Sequence, residues 1–255
     1  MDLKEHAFVV FSEEHYNPLG VIRSLGESGL KPVAIIVKGG PLLTSKSKYL
    51  SAVHYVDNRE QGLQILIKEY GNRQEKTFVY ACDDTTEEFL DDHYDELKNK
   101  FYFFNAGMKG GVSKFLNKET IGELAIKHGL NFLQAIVVEK GTVPQKIQYP
   151  VITKAIDSTV GGWKNDMFIC HNEQELTEAF QKIKSPIVML QRYIVKKNEY
   201  CLEGFSCNHG RDVFIAIEST YNYKLPMSYS PYMTVNNFHN KNNVFPSLKN
   251  MFAEI

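Results

Sequence analysis

Little in this sequence asks for an unusual environment. The 255 residues hold one tryptophan and four cysteines, Cys82, Cys170, Cys201 and Cys207, with no C-x-x-C pair and no zinc-type spacing of Cys and His. That argues against a disulfide framework or a thiolate metal site, and predicts reduced thiols, buried or half-buried, in a cytoplasmic protein. No apolar run approaches the roughly 18 residues of a membrane-spanning helix. The opening Met1-Asp2-Leu3-Lys4-Glu5-His6 enters only a short apolar run and does not read as a secretory signal. Charge of one sign is lacking as well. Lys and Arg number 29 against 30 Asp and Glu, a net −1, and the basic residues are spread along the chain. No basic face is expected, hence no nucleic-acid partner. The first strand-to-helix junction, Phe11-Ser12-Glu13-Glu14-His15-Tyr16-Asn17-Pro18-Leu19-Gly20, carries no G-x-G-x-x-G, which weakens a dinucleotide-binding oxidoreductase or transferase reading.

What is present is the composition of a globular protein, 43% hydrophobic and 23% charged, with a mean hydropathy of −0.30. A chain this long can bury the core of one large domain or of two ordinary ones. Two regimes follow one another, with a seam near residues 106–114. In the first, short apolar runs alternate with helical segments: Ala7–Phe11, Pro32–Val37, Val53–Val56, Thr77–Ala81 and Phe101–Phe104 read as strands. Helices are expected between them, from Asn17-Pro18 to Gly29, from Asn58 with Gln61 as its box, and through Leu90 to Leu97. Strands alternating with helices predict βαβ units and a parallel sheet.

In the second regime a helix over Lys118–His128 is capped by Asn117, and Phe132–Glu139, Tyr149–Ala155, Met167–Cys170 and Pro186–Leu190 read as strands. Asn172 with Glu175 boxes an amphipathic helix through Leu176, Ala179, Phe180 and Ile183. Glu199–Ser206 and Asp212–Glu218 form a hairpin about Asn208-His209-Gly210-Arg211. After Ser219 the pattern dissolves into a Tyr-, Asn- and Pro-rich stretch up to Pro246, before a helix-like close over Ser247–Ile255.

Several features of this half suit a nucleotide. Lys118 stands at a helix start, where free N–H groups and the helix dipole already favour an anion. Lys154 ends an apolar strand, Val151-Ile152-Thr153-Lys154, and a buried ammonium needs a partner such as a phosphate oxygen. The plain alternative for Lys118 is a solvated lysine in a first helical turn, and for Lys154 a side chain snorkelling out at the strand end. The loop Asp157-Ser158-Thr159-Val160-Gly161-Gly162-Trp163-Lys164 offers backbone N–H groups and a cation to phosphate, although a Gly-Gly hairpin turn accounts for most of it. At the strand exit Leu190-Gln191-Arg192-Tyr193-Ile194, backbone groups can meet an adenine edge and Glu199 can accept from ribose hydroxyls.

Taken in order, these features resemble the ATP-grasp superfamily, in particular its D-aspartate-ligase and carbamoyl-phosphate-synthase-like carboxylate–amine ligases. "NPLGVIRSLGESG", "SKSKYLSAVHYV" and the acidic Cys82-Asp83-Asp84 resemble the domain that precedes the ATP-grasp fold there. The resemblance runs over about residues 5 to 219 and implies an α/β fold: a Rossmann-like parallel-sheet domain over 1–110, the ATP-grasp lid subdomain over 111–190 and the start of the C-terminal subdomain over 191–255, incomplete. It implies that Lys118 and Lys154 hold the α- and β-phosphates of ATP and that Gly161, Gly162 and Lys164 fold over the transferred phosphate. Gln191 meets the adenine amino group, with the backbone of Arg192, Tyr193 and Ile194 beside it, and Glu199 takes the ribose. Many relatives carry Glu where Gln191 stands, and Lys196 and Lys197 replace a short Gly turn.

The implied reaction activates a carboxylate with ATP to an acyl phosphate, which an amine then attacks; the partners are therefore small molecules, and magnesium is required. The family's magnesium ligands, an acidic residue and then an E-x-N pair, lie well beyond the ribose glutamate, and no E-x-N follows Glu199. The expectation is a fragment of a longer ligase, inactive alone. A non-catalytic nucleotide-binding module complete at this length is the alternative. Ligand contacts in an open parallel sheet gather at the C-terminal strand ends, which directs attention to Ser12-Glu13-Glu14-His15 and Cys82-Asp83-Asp84. For those acids a role as solvated loop caps is the competing reading.

Overall fold

The computed structural model describes residues 2–40, 43–156, 166–195, 198–222, 232–237 and 246–254, with backbone alone for 198–200, 215–222, 232–237 and 246–249. The chain divides into two compact units, Met1–Lys114 and Phe115–Ile255.

In the first unit β1 (Phe8–Glu13), β2 (Val33–Val37), β3 (Ala52–Val56), β4 (Thr77–Ala81) and β5 (Phe101–Tyr102) build a five-stranded sheet in the order β3-β2-β1-β4-β5. Every pairing in it is parallel. The helices are α1 (Tyr16–Glu27), α2 (Arg59–Ile65, continued by a wider π-type turn over Leu66–Tyr70), α3 (Asp84–Asp92) and α4 (Tyr94–Leu97). Unbroken apolar runs suit this sheet because both of its faces are covered. Val9, Phe11, Val33, Ile35 and Val37 pack with Leu63, Leu66, Leu90 and Leu97 on one face. Their neighbours in sequence, Val10, Ala34 and Ile36, turn to the other face and meet Ile22 and Leu25 of α1. Each such side chain contributes roughly 1.5–3 kcal/mol by leaving water.

Capping differs in detail from the sequence expectation. His15, not Asn17, is the N-cap of α1; its Nδ1 accepts from Asn17 N at 3.4 Å. The Asn17 amide instead donates across to the Cys82 carbonyl, also at 3.4 Å. At the far end Gly29 adopts φ +82°, and the bonds Gly29 N–H to Gly26 O and Leu30 N–H to Leu25 O close a Schellman motif. Gln61 does box α2, but its carbonyl accepts from Asp57 N–H, one residue before the cap. The expected helix to Leu97 breaks at His93 into α3 and α4.

The second unit holds α5 (Lys118–Lys127), β6 (Ala135–Glu139), β7 (Val151–Ala155), β8 (Ile169–Cys170), α6 (Glu173–Lys182), β9 (Ile187–Arg192), β10 (Asn198–Cys207), β11 (Asp212–Asn222), β12 (Tyr232–Asn237) and α7 (Pro246–Glu254). Two antiparallel sheets result, of order β6-β9-β7-β8 and β10-β11-β12. On the four-stranded sheet Val151, Val188 and Leu190 pack against Leu176, Ala179 and Phe180 of α6.

Some boundaries move for identifiable reasons. β6 begins at Ala135 and not at Phe132, because the Phe132 ring covers Gly122 of α5, where a Cβ would lie 2.4 Å from the ring. β8 is shorter than expected: Thr153 N–H donates to Phe168 O at 2.9 Å, but the returning Phe168 N–H goes to the Thr153 hydroxyl, also at 2.9 Å, which itself donates to Asp166 O at 2.7 Å. The hairpin is as expected, with its turn at Asn208, His209 and Gly210 in positive φ. The region after Ser219 is not patternless: β11 continues to Asn222, and Tyr232–Asn237 adds a third strand beside it. α7 meets α5 through Met251, Leu124 and Ala125, with Glu254 accepting from Lys127 and from His128 Nε2. Among the described residues no helix is long and apolar enough to cross a membrane.

Candidate functional site

The antiparallel ladder decides which residues share a face. Ile152 stands opposite Gln191 and Lys154 opposite Met189, so Ile152, Lys154, Met189 and Gln191 all turn away from α6. Here the Lys154 ammonium, half-buried, donates to Gln191 Oε1 at 2.9 Å. Gln191 is only 8% exposed, and its Nε2 donates to the Leu133 carbonyl at 2.6 Å. The amide is thereby held in one orientation, with its oxygen toward the cation and a lone pair left for a further donor.

Lys118 opens α5, whose cap is Asn117: its Oδ1 accepts from Glu119 N–H at 2.8 Å and Thr120 N–H at 3.3 Å. The Lys118 N–H itself points to the carbonyl of Ile156, just past the end of β7, at 3.4 Å. The start of α5 is thus tied to the strand end that carries Lys154.

Other residues of the set are placed less completely. Arg192 and Ile194 are exposed, and Tyr193 N–H donates to Pro150 O at 2.8 Å, so one backbone donor of the strand exit is already engaged. Glu199 lies on β10 opposite Tyr221, and its side chain is outside the described residues. Gly161, Gly162 and Lys164 are outside them too. The structure therefore joins Lys154 to Gln191 directly and Lys118 to the same strand end. Leu133, whose carbonyl orients Gln191, carries no sequence signal, because a backbone acceptor leaves none. Asp166 was also unmarked: fully buried, it accepts from Lys184 N–H at 2.8 Å, Ser185 N–H at 2.9 Å and Ser185 Oγ at 2.5 Å.

At the strand ends of the parallel sheet the acids are engaged in structure. Asp83 accepts from Ser12 Oγ, Glu13 N–H and Thr86 Oγ1, each at 2.9 Å, and from Thr86 N–H at 2.8 Å. Burial alone would raise its pKa; those hydrogen bonds outweigh burial and hold the carboxyl below its ordinary value. Glu14 Oε1 accepts from Thr44 N–H and Oγ1 and from Leu43 N–H. Both acids act as caps, Asp83 partly buried rather than fully solvated. Glu87 is pushed up to about 7, first by burial and then by Asp91, Asp83 and Asp84. Burial likewise lifts the Cys82 thiol to about 12 and the Cys170 thiol to about 11, as suits inert core cysteines. Cys207 departs from expectation in being exposed.

With this geometry in view, comparison with solved structures identifies the fold. The chain matches an L-amino acid ligase from Bacillus licheniformis with a TM-score of 0.70 over 97% of its own length, at 12% identity. It matches an ADP complex of N5-carboxyaminoimidazole ribonucleotide synthetase at 0.62 over 85%, with 13% identity. D-alanine–D-alanine ligase from Bacillus anthracis gives 0.57 over 98%, with 11% identity. The fold is that of the ATP-grasp ligases: a Rossmann-like parallel-sheet unit followed by part of the ATP-grasp unit. The chain spans 59%, 54% and 78% of those three proteins. No known family profile matches the sequence, and no curated protein does.

Proposed function

We propose that this chain binds ATP as the front part of a carboxylate–amine ligase. The observation that carries the reading is the Lys154–Gln191 pair on the face of the antiparallel sheet that turns away from α6. An ammonium in that setting can donate to phosphate oxygens, and the fixed amide oxygen can accept from an adenine amino group. Lys118 would add a second cation at the start of α5. Arg192, Tyr193 and Ile194 would flank the base, Glu199 would accept from the ribose, and Gly161, Gly162 and Lys164 would close over the terminal phosphate. The subdomain limits at 110 and 190 belong to the same proposal.

The chemistry proposed is acyl transfer in two steps. A substrate carboxylate oxygen attacks the γ-phosphorus as the bond to ADP breaks, giving an acyl phosphate. An amine then attacks the acyl carbon, phosphate leaves, and the nitrogen loses a proton to give the amide. Lys118 and Lys154 would hold and screen the phosphates during the first step. Magnesium is the metal such a reaction calls for, but among the described residues no three His, Cys, Asp or Glu side chains are grouped to hold one.

Calorimetric titration with a non-hydrolysable ATP analogue tests the clamp. Saturable binding is expected, weakened about tenfold or more by Lys154→Ala, equivalent to roughly 1.4 kcal/mol. Absence of binding, or undiminished affinity in the variant, would sink the reading.

A further inference from the structure

The parallel sheet carries a hollow at each end, and their linings are opposite in charge. At the C-terminal strand ends a space of about 350 Å³ is rimmed by Asp57, Glu60, Glu88 and Asp92. Its one arginine, Arg59, is already engaged by Glu13 and Asp83. Below the N-terminal ends of β1 and β2 lies a larger space of about 500 Å³ with no carboxylate in its lining. Lys4, Lys31 and Arg73 stand there, all exposed, around walls formed by Phe8, Leu30 and Val33.

These three cations come from separate parts of the chain: the segment before β1, the turn after α1 and the residues that follow α2. The Schellman turn at Gly29 brings Lys31 round to the start of β2. Among the described residues none of the three side chains has an ion pair or a side-chain hydrogen bond. The other polar groups in the lining are occupied: Ser51 Oγ donates to Lys31 O and Pro32 O, Tyr70 Oη meets His54 Nε2 at 3.1 Å, and His6 Nδ1 meets Lys76 O. Glu75 faces His6 Nε2 at 3.8 Å but is not part of the lining.

Like charges gathered about an apolar hollow raise the local potential, and a multiply charged anion relieves it. The volume falls in the range of roughly 300–1,000 Å³ typical of small-molecule sites. Its position is opposite the strand ends at which open parallel sheets take their substrates. We propose that this hollow binds a small phosphate monoester, its phosphate among Lys4, Lys31 and Arg73 and its apolar body against Phe8, Leu30 and Val33. The site is independent of the nucleotide clamp.

Phenyl phosphate is a suitable probe, titrated into the full chain and followed by calorimetry. Saturable binding is expected, weakened about tenfold or more in the double variant Lys31→Glu with Arg73→Glu and weakened as salt rises from about 0.05 to about 0.2 M. Lys31→Gln with Arg73→Gln should lose affinity too, with an unchanged thermal transition showing that the fold persists. Lys154→Ala should leave phenyl phosphate binding intact. Lack of saturation, equal binding by the double variants, or loss of binding in Lys154→Ala would each overturn the proposal. If the ATP analogue fails to bind while phenyl phosphate does, the clamp reading falls and this one stands.

Discussion

The two large sheets of this molecule treat their faces differently. In the parallel sheet both faces are packed: β1 and β2 send alternate side chains into two separate cores, and their only polar residues are Ser12 and Glu13 at the end of β1. The four-stranded antiparallel sheet packs one face on α6 and places an ammonium and an amide on the other. A sheet covered twice has no room for a ligand on its surface, so its ligand-accessible places are its ends. On the antiparallel sheet the ammonium and the amide share a face with the buried Met189, so polar groups stand beside a packed side chain near the strand ends.

The comparison can be broken by substitution. Phe11→Ala empties a fully buried position of the doubly covered sheet and should cost about 3–5 kcal/mol, read by denaturant unfolding. Asp166→Ala in the second unit leaves Lys184 N–H, Ser185 N–H and the Ser185 hydroxyl without their acceptor. A loss of about 3 kcal/mol is expected by the same measurement. Equal, small effects from both would mean that neither sheet depends on its packed side as described.

Smaller effects test the strand ends. Glu87 has a folded pKa of about 7, above its ordinary 4.5. A raised carboxyl pKa means that the folded state binds the extra proton between those values, so stability falls as pH rises from about 4.5 to 7. Glu87→Gln should therefore be more stable than the parent at pH 8, by on the order of 1–3 kcal/mol, and no different near pH 4. Asp83 has the opposite sign: its depressed pKa adds stability above the ordinary carboxylate value, lost as pH falls through the folded one. Asp83→Asn should flatten the acid limb of a stability–pH curve. Least of all, Lys38→Ala removes an exposed pair with Asp57 and should change stability by about 0.5 kcal/mol or less.

Much of the fold was legible because burial leaves a period. The unbroken apolar runs at Phe8 and Val33, the caps at Asn58, Asn117 and Asn172, and the turn at Asn208 all follow from local chemistry. Illegible parts depend on contacts distant in sequence. Nothing local shortens β6 at Phe132, since the cause is a glycine on α5. Nor does the stretch after Ser219 announce Tyr232–Asn237 as a strand, because its partner is β11. For the candidate site, Lys154 stood out as a cation ending an apolar strand. Its bond to Gln191 did not, because those residues are 37 positions apart in sequence.

Asp166 has a further consequence. Its carboxylate receives the amide hydrogens of Lys184 and Ser185, and its carbonyl receives the Thr153 hydroxyl. The residue that follows the glycine loop is thus anchored to the sheet, while Ile156, before the loop, accepts from Lys118 N–H. Both ends of that loop are fixed points. In deuterated solvent the amides of Lys184 and Ser185 should exchange as slowly as those of the strands.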